Sequence, residues 1–519
     1  MILFPLGGYA EVHHRRGKLP NLLWQNEPEI FCDFPRRVEP GVKIFPVIVS
    51  VKDAHLYPVF IVEITLKFLF AKRKHEESLF KGKMLINHSL KQFLFEVSLP
   101  EQASGDVPVA VEIRYFLGGR EKVMTNHNYQ KITRELWTCY FAEESRPLFS
   151  NWYAGDIHWH SAASSDDVEF GLDAELAYAP AVAMGLHFLA VTDHSYDLDD
   201  TYQNHRESDP ELHKWNDLQR SIDRANQKRV DFTLIRGEEA SLGNDKGRNV
   251  HALILGNRKF VPGSGDSAEV SFKNRPDNTL RDAVEEGYEL IAAHPFEGAH
   301  LLPYFFLRRG TWTNKDWEKA SGIEFYNGVK GAGFEKGKKK WVELLLRGRK
   351  IFTYGGSDAH GDFIRYFKIQ VPFLKMGSSR DHLTGKVQTH VKCQKIPNET
   401  ILLENLKKGH CYVTDGPALD MAVEGFPGLC MGDTISVGEG EPVIDVKALS
   451  TKEFGTLSSL VIFAGNRETG KEEILAANTE KGFSLELHAR VEKDFFYFRA
   501  EAETETGHIA FSNPIFIDN

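Results

Sequence analysis

The apolar positions of this chain change rhythm twice. From about residue 40 to 150 they come in short runs, VKIFPVIVSV, VFIVEITLKFLF, KQFLFEVSLP and VPVAVEIRYFL, separated by Gly, Pro, Asp and Asn. The runs are β-branched and aromatic and alternate partly with period two, as strands half-buried on a sheet do. No helical stretch lies between them. They predict an N-terminal antiparallel β domain over residues 1–150, in the form of a β-sandwich.

At Asn151 strand-like and helix-like segments begin to alternate. DIHWH precedes DAELAYAPAVAMG, and HFLAVTDH precedes LHKWNDLQRSIDRANQK. DFTLIRGEE and VHALILG precede TLRDAVEEG; ELIAAHP, GIEFYNG, EKGKKKWVELLLRG and KIFTYGGSDAH follow, and NETILLENLKKGH closes the region at about residue 410. This order implies an α/β domain over 151–410, built on a parallel sheet or a (β/α) barrel, with function at the C-terminal ends of its strands. From 411 to 519 the strand rhythm returns in PVIDVKALS, SSLVIFAG, FSLELHARV and FFYFRAEAET, predicting a C-terminal β domain.

Composition narrows the function classes. The 519 residues carry 63 basic and 73 acidic side chains, a formal charge of -10, so no basic face for nucleic acid is expected. No stretch approaches the roughly 18 to 20 apolar residues of a membrane span. The five cysteines, Cys32, Cys139, Cys393, Cys411 and Cys430, never form a CxxC pair and suggest neither disulfides nor a sulfur-ligated zinc site. Together these features read as a cytoplasmic protein acting on a small molecule, with homo-oligomerisation left open.

The chemistry sits at the strand ends of the middle region. Asp156, His158 and His160; Asp193 and His194; Glu239; His251; His294; Glu324 and Asn327; Asp358 and His360 all fall there. A pair such as His158 and His160, two apart on a strand, projects from one face and can reach one ion. A lone strand histidine is usually structural, and His187, His205, His213, His300, His382 and His410 are read so. Six histidines with several carboxylates at successive strand ends would otherwise be buried polar groups without partners, at about 1–3 kcal/mol each. Nitrogen and oxygen ligands without thiolate suit Zn, Fe or Mn, and so many of them imply two or three ions with a bridging carboxylate. Asp156 is expected to orient an imidazole.

In DIHWHS, VTDHS, GEEAS with VHALILG, AAHPFEG and GGSDAH, in this order, residues 151–410 resemble the PHP (polymerase and histidinol phosphatase) family of metal-dependent hydrolases. The flanking β regions and GHCYVTDGPALDMAVEG resemble its carbaryl-hydrolase-like branch. The resemblance implies a distorted (β/α)7 TIM-like barrel with a trinuclear metal site. His158, His160, Glu239 and Asp358 would hold the first ion, and Glu239 would bridge to a second shared with His251 and His294. His194, His360 and an acid of the first loop, Asp166 in preference to Asp167, would hold the third.

The implied function is hydrolysis of a small phosphate ester by a metal-activated hydroxide, with Asp358 accepting the proton and His194 or His360 assisting the leaving group. Arg248, Lys330 and Arg365 are the candidate cations for an anionic substrate. A carboxylic or carbamate ester hydrolase using the same ions is the alternative; a non-catalytic binding protein is a third reading that the intact ligand set opposes.

Overall fold

The structure, a computed structural model, describes residues 27–71, 74–128, 136–164, 171–202, 207–263, 278–296, 308–366, 368–371, 374–377, 381–436, 442–490 and 494–518. They fall into two compact units, the first within Met1–Ser145, Ser165–Gly185 and His360–Thr384, the second within Arg146–Ser164, Leu186–Ala359 and Gly385–Asn519.

The first unit is a β-sandwich. One sheet orders Glu29–Asp33, Ile44–Lys52 and Leu90–Ser98; the other contains Val59–Leu69, Lys74–Ile86, Gly105–Leu117 and Trp137–Phe141. Alternation on Val59–Leu69 sends Ile61, Ile64, Leu66 and Phe68 into a core shared with Phe45, Val47 and Val49 of the facing sheet. Phe45 meets the ring of Phe68 edge-on at 5.3 Å, the arrangement aromatic quadrupoles favour. Inside this unit the Asp33 carboxylate accepts hydrogen bonds from the backbone N–H groups of Phe363 (2.8 Å), Ile364 (2.9 Å) and Arg365 (3.2 Å).

The second unit is organised by one continuous, mixed sheet of 15 strands. Along it run Phe352–Gly356, Ala320–Asn327, Leu290–Ala293, Asn249–Leu255, Thr233–Gly243, Phe188–Val191, Trp152–Trp159 and Gln388–Lys392, followed by Cys411–Thr414 and strands of the C-terminal region. A smaller sheet of Ala418–Val423, Val443–Leu449 and Ser484–Arg490 shares a core with it through Met421, Ile444, Val446, Ile462 and Phe498. Helices His213–Lys228, Ala332–Leu346 and Glu399–Lys407 pack on the large sheet. Among the described residues no helix is long and apolar enough to cross a membrane.

The expected distorted (β/α)7 barrel is overturned by this topology. Thr233–Gly243 and Asn249–Leu255 pair antiparallel, as do Asn249–Leu255 with Leu290–Ala293 and Trp152–Trp159 with Gln388–Lys392. A parallel repeat needs a crossover of about a dozen residues or more, whereas only residues 244–248 separate the first two of these strands. That turn is closed by Gly247 at φ +68° and by Asn244, whose side chain accepts from the backbone N–H groups of Lys246 and Arg248. Helix Ala174–Ala183, expected to cover the first parallel pair, belongs to the first unit and packs on Ile44–Lys52. The large sheet also runs unbroken through residue 410, since Gln388–Lys392 pairs with Cys411–Thr414.

Candidate metal centre

His158 and His160 lie at the end of Trp152–Trp159, where a register shift between Asp156 and Trp159 interrupts regular pairing. Asp358 is drawn to them because its backbone N–H donates to the His158 carbonyl (2.9 Å) and the Ala359 carbonyl accepts from the His160 N–H (2.8 Å). Glu239 comes from the long Thr233–Gly243 strand, and His251 from the antiparallel neighbour whose register sets it opposite Ser241. His294 follows Leu290–Ala293 with φ 28°, and Asp358 has φ 52°. Left-handed backbone at non-glycine residues is strained and gathers at functional sites.

Five distances define the centre. His158 Nε2 lies 3.2 Å from His160 Nε2, 3.3 Å from Glu239 Oε2 and 3.3 Å from Asp358 Oδ1. His160 Nε2 lies 3.4 Å from Glu239 Oε2 and 3.1 Å from Asp358 Oδ1. Ligands about 2.0–2.1 Å from a tetrahedral ion stand about 3.3–3.4 Å apart, so five of the six edges of such a coordination shell are already set. The four residues can hold a metal ion. His158, His160 and Glu239 are fully buried, and Asp358 alone keeps its side chain 17% exposed.

Glu239 turns its other oxygen the opposite way. Oε1 contacts His251 Nδ1 closely and lies 2.9 Å from His294 Nε2, while Oε2 is 2.9 Å from His194 Nδ1. His194, Glu239 and His251 form a second group of converging ligand atoms. His194 meets Glu239 through its Nδ1. Its ring stacks on Tyr196 at 4.6 Å.

The electrostatics are those of a cation site. Burial favours neutral carboxyls, yet the imidazoles of His251, His194 and His158 hold Glu239 well below its usual range. Burial likewise opposes ionisation of Asp358, and His158 and His160 outweigh it. In the other direction, burial disfavours charge on His158 and His160, but the carboxylates of Glu324, Asp358 and Glu239 hold His158 well above its usual value, and those of Asp358 and Glu239 raise His160 to about 10. Burial takes His194 down to about 3, with the neighbouring imidazoles adding to it against the pull of Glu239, so its nitrogens stay neutral. Protons on His158 and His160 thus carry the charge that a divalent ion would carry.

Surrounding groups hold the ligands in place. Glu324 Oε2 lies 2.9 Å from His158 Nδ1 and orients that ring, the role expected of Asp156. Asp156 instead accepts from the backbone N–H groups of His158 (3.2 Å), Ser357 (3.0 Å) and Gly385 (2.8 Å), tying three segments together. Burial raises its pKa to about 6. Asp193 accepts from Ser161 and Ser164, which fixes the loop after His160.

Asp166 and Asp167 lie outside the described residues, and His360 belongs to the first unit. Arg365 is buried in that unit, paired with Asp362 and lying over the Phe31 ring at 4.3 Å. The Lys330 ammonium donates to the Gly507 carbonyl, and Arg248 sits half-buried in the 244–248 turn. The cation that the structure brings to the centre is Arg309, whose Nη1 is 3.4 Å from His251 Nδ1. Nothing in the local sequence RRGTW marks it; its place depends on pairing with Asn249 across the fold.

No family model and no curated relative matches the chain. Among solved structures it is similar to a calcium-binding mutant of Bacteroides uniformis beta-glucuronidase 2, at 9% identity and a TM-score of 0.18, over 94% of this chain and 60% of that one. Parabacteroides merdae beta-glucuronidase gives 8% identity and a TM-score of 0.19, over 95% and 65%. Native alpha-2-macroglobulin from Escherichia coli, spanning domain MG7 to the C-terminus, gives 9% and 0.16, over 95% and 99%. The chain thus spans under two thirds of the length of these glucuronidases, and similarity at this level carries no argument about fold or chemistry.

Proposed function

We propose that the protein is a metal-dependent hydrolase acting on a small phosphate ester, with two or three divalent Zn, Mn or Fe ions as cofactors. The observation that carries the reading is the pre-set shell of His158, His160, Glu239 and Asp358, whose ligand atoms stand at coordination-edge distances without the ion. Glu239 supports more than one ion, because its two oxygens face different imidazoles. The resemblance to PHP hydrolases supports the same reading through ligand residues alone, independently of any barrel. Arg309 beside His251 favours an anionic substrate.

Ions held in this centre by His158, His160, Glu239 and Asp358 would supply Lewis-acid activation of water and a clamp on the substrate oxygen. Glu239, buried and ionised, keeps both ligand sets in register. Asp358 turns Oδ1 to His158 and His160 and retains solvent access, so its Oδ2 is the atom placed to take the proton of the attacking water. Neutral His194 serves as a ligand in this reading rather than as an acid for the leaving group.

The test is metal analysis with and without chelator, together with p-nitrophenyl phosphate, a p-nitrophenyl phosphodiester and p-nitrophenyl acetate assayed with added Mn or Zn. Chelator-sensitive turnover of the phosphate ester is expected. Turnover of acetate alone would put the carboxylic or carbamate ester reading in its place, and less than one equivalent of bound transition metal would overturn the metal reading.

A further inference from the structure

Strand Ala320–Asn327 carries one buried polar group that the centre does not use. Its pairing with Phe352–Gly356 shifts register between Glu324 and Tyr326. The shift has a visible consequence for side-chain direction. The rings of Phe325 and Tyr326 both pack on Phe334 (5.5 and 5.0 Å) and both stack on Phe511 (5.3 and 6.3 Å), so two successive residues leave the same face of the strand. Alternation resumes at the next residue, which returns Asn327 to the face from which Glu324 meets His158.

A second observation, independent of the first, identifies that face. Asn327 is registered beside Gly356. A Cβ on Gly356 would stand 2.6 Å from His158 Cβ and 2.8 Å from Glu324 Oε1, so this glycine faces the side on which His158 and Glu324 meet, and their close approach depends on its lacking a side chain. Residues paired across parallel strands project to the same side.

Asn327 is only 3% exposed, yet neither its Oδ1 nor its Nδ2 has a hydrogen-bond partner among the described residues, and the same holds for Glu324 Oε1. Buried amides with both ends unpaired are rare, because each unmade bond forfeits the solvation given up on folding. We infer that Asn327 is a substrate-binding residue of this centre, its Nδ2 donating to an oxygen of the bound phosphate ester; the inference rests on the hydrolase reading for its substrate. The choice of side chain follows from charge. Glu239, Asp358 and Glu324 already line the centre, so a further carboxylate would repel an anionic ester and an ammonium would compete with the cations the centre is built to hold. A neutral carboxamide donates to a phosphate oxygen without disturbing that balance.

The test uses metal-loaded full-length protein and its Asn327→Ala and Asn327→Asp variants, with three readouts: metal equivalents, the Kd of inorganic phosphate by calorimetry, and kcat/KM for p-nitrophenyl phosphate. Both variants are expected to retain their metal, and Asn327→Ala to bind phosphate roughly tenfold more weakly, as loss of one hydrogen bond to a charged group implies. Asn327→Asp is expected to bind it more weakly still, by repulsion. Should Asn327→Ala fail to fold, the near-isosteric Asn327→Asp carries the comparison alone. Unchanged phosphate affinity with full metal, loss of metal from the variants, or no phosphate binding by the wild type would each overturn the assignment. Phosphate binding that depends on Asn327 in a wild type that turns over no ester would overturn the hydrolase reading and leave the oxyanion assignment standing.

Discussion

Asp33 in the first unit and Glu239 in the second are both fully buried carboxylates, and their surroundings drive them in opposite directions. Burial pushes Asp33 up to about 7, with Asp362 adding to the push, while Arg365 and the backbone N–H groups of Phe363 and Ile364 resist it. Glu239 meets the same burial and is held far below its usual range, because its neighbours are His251, His194 and His158. One carboxylate fastens a segment of chain. The other gathers nitrogen ligands, two of which, His158 and His160, carry protons because of the carboxylates among them. Burial alone therefore does not identify a functional acid; the chemistry of its neighbours does.

The sharpest way to break this contrast is Glu239→Gln. It removes the charge that both ligand sets share, and metal affinity is expected to fall by more than about a hundredfold, beyond the loss usual for an outer residue; calorimetric titration with Zn or Mn reads it. Retained affinity would mean that Glu239 is no more a ligand than Asp33. A smaller effect is expected for Glu324→Gln, which weakens the hold on His158 Nδ1: metal affinity down by about 10- to 100-fold with the fold intact. An unchanged Kd would return Glu324 to a purely structural role.

The smallest effect concerns stability alone. Because the folded pKa of Asp33 is raised from 3.8 to about 7, the folded state holds more protons than the unfolded one between those values. On this group alone stability is greatest below about pH 4 and falls as pH rises toward 7. Asp33→Asn is expected to flatten that slope in denaturant titrations across pH 4 to 7, and to cost about 1–3 kcal/mol where a backbone N–H loses its acceptor. Metal affinity should be unchanged. The same slope in wild type and Asp33→Asn would show that Asp33 titrates alike in the folded and unfolded states.

Much of the centre was legible in the residues themselves. DIHWH, VTDH, GEE, VHALILG, AAHP and GGSDAH contain every residue of the five edges and of the second group, since imidazoles and carboxylates at strand ends have few other uses in such number. What escaped was orientation. Asp156 and Glu324 are equally plausible partners for an imidazole on paper, and only the approach of Ala320–Asn327 gives the ring to Glu324. Arg365 and Lys330 looked like free loop cations because a sequence does not display Asp362 or the Gly507 carbonyl. The barrel expectation failed at residues 244–248, where Asn-Asp-Lys-Gly between two apolar runs is itself a hairpin signal. Alternating strands and helices around it outweighed that local cue.

By itself, then, the sequence determined which segments are strands and which side chains can bind a cation, because period-two burial and ligand chemistry are local properties. Tertiary structure decided strand direction, which oxygen of Glu239 meets which imidazole, and where Asn327 and Arg309 stand. Those depend on pairings between residues tens to hundreds of positions apart, and on a one-residue register shift at Phe325 that reverses the face of everything beyond it.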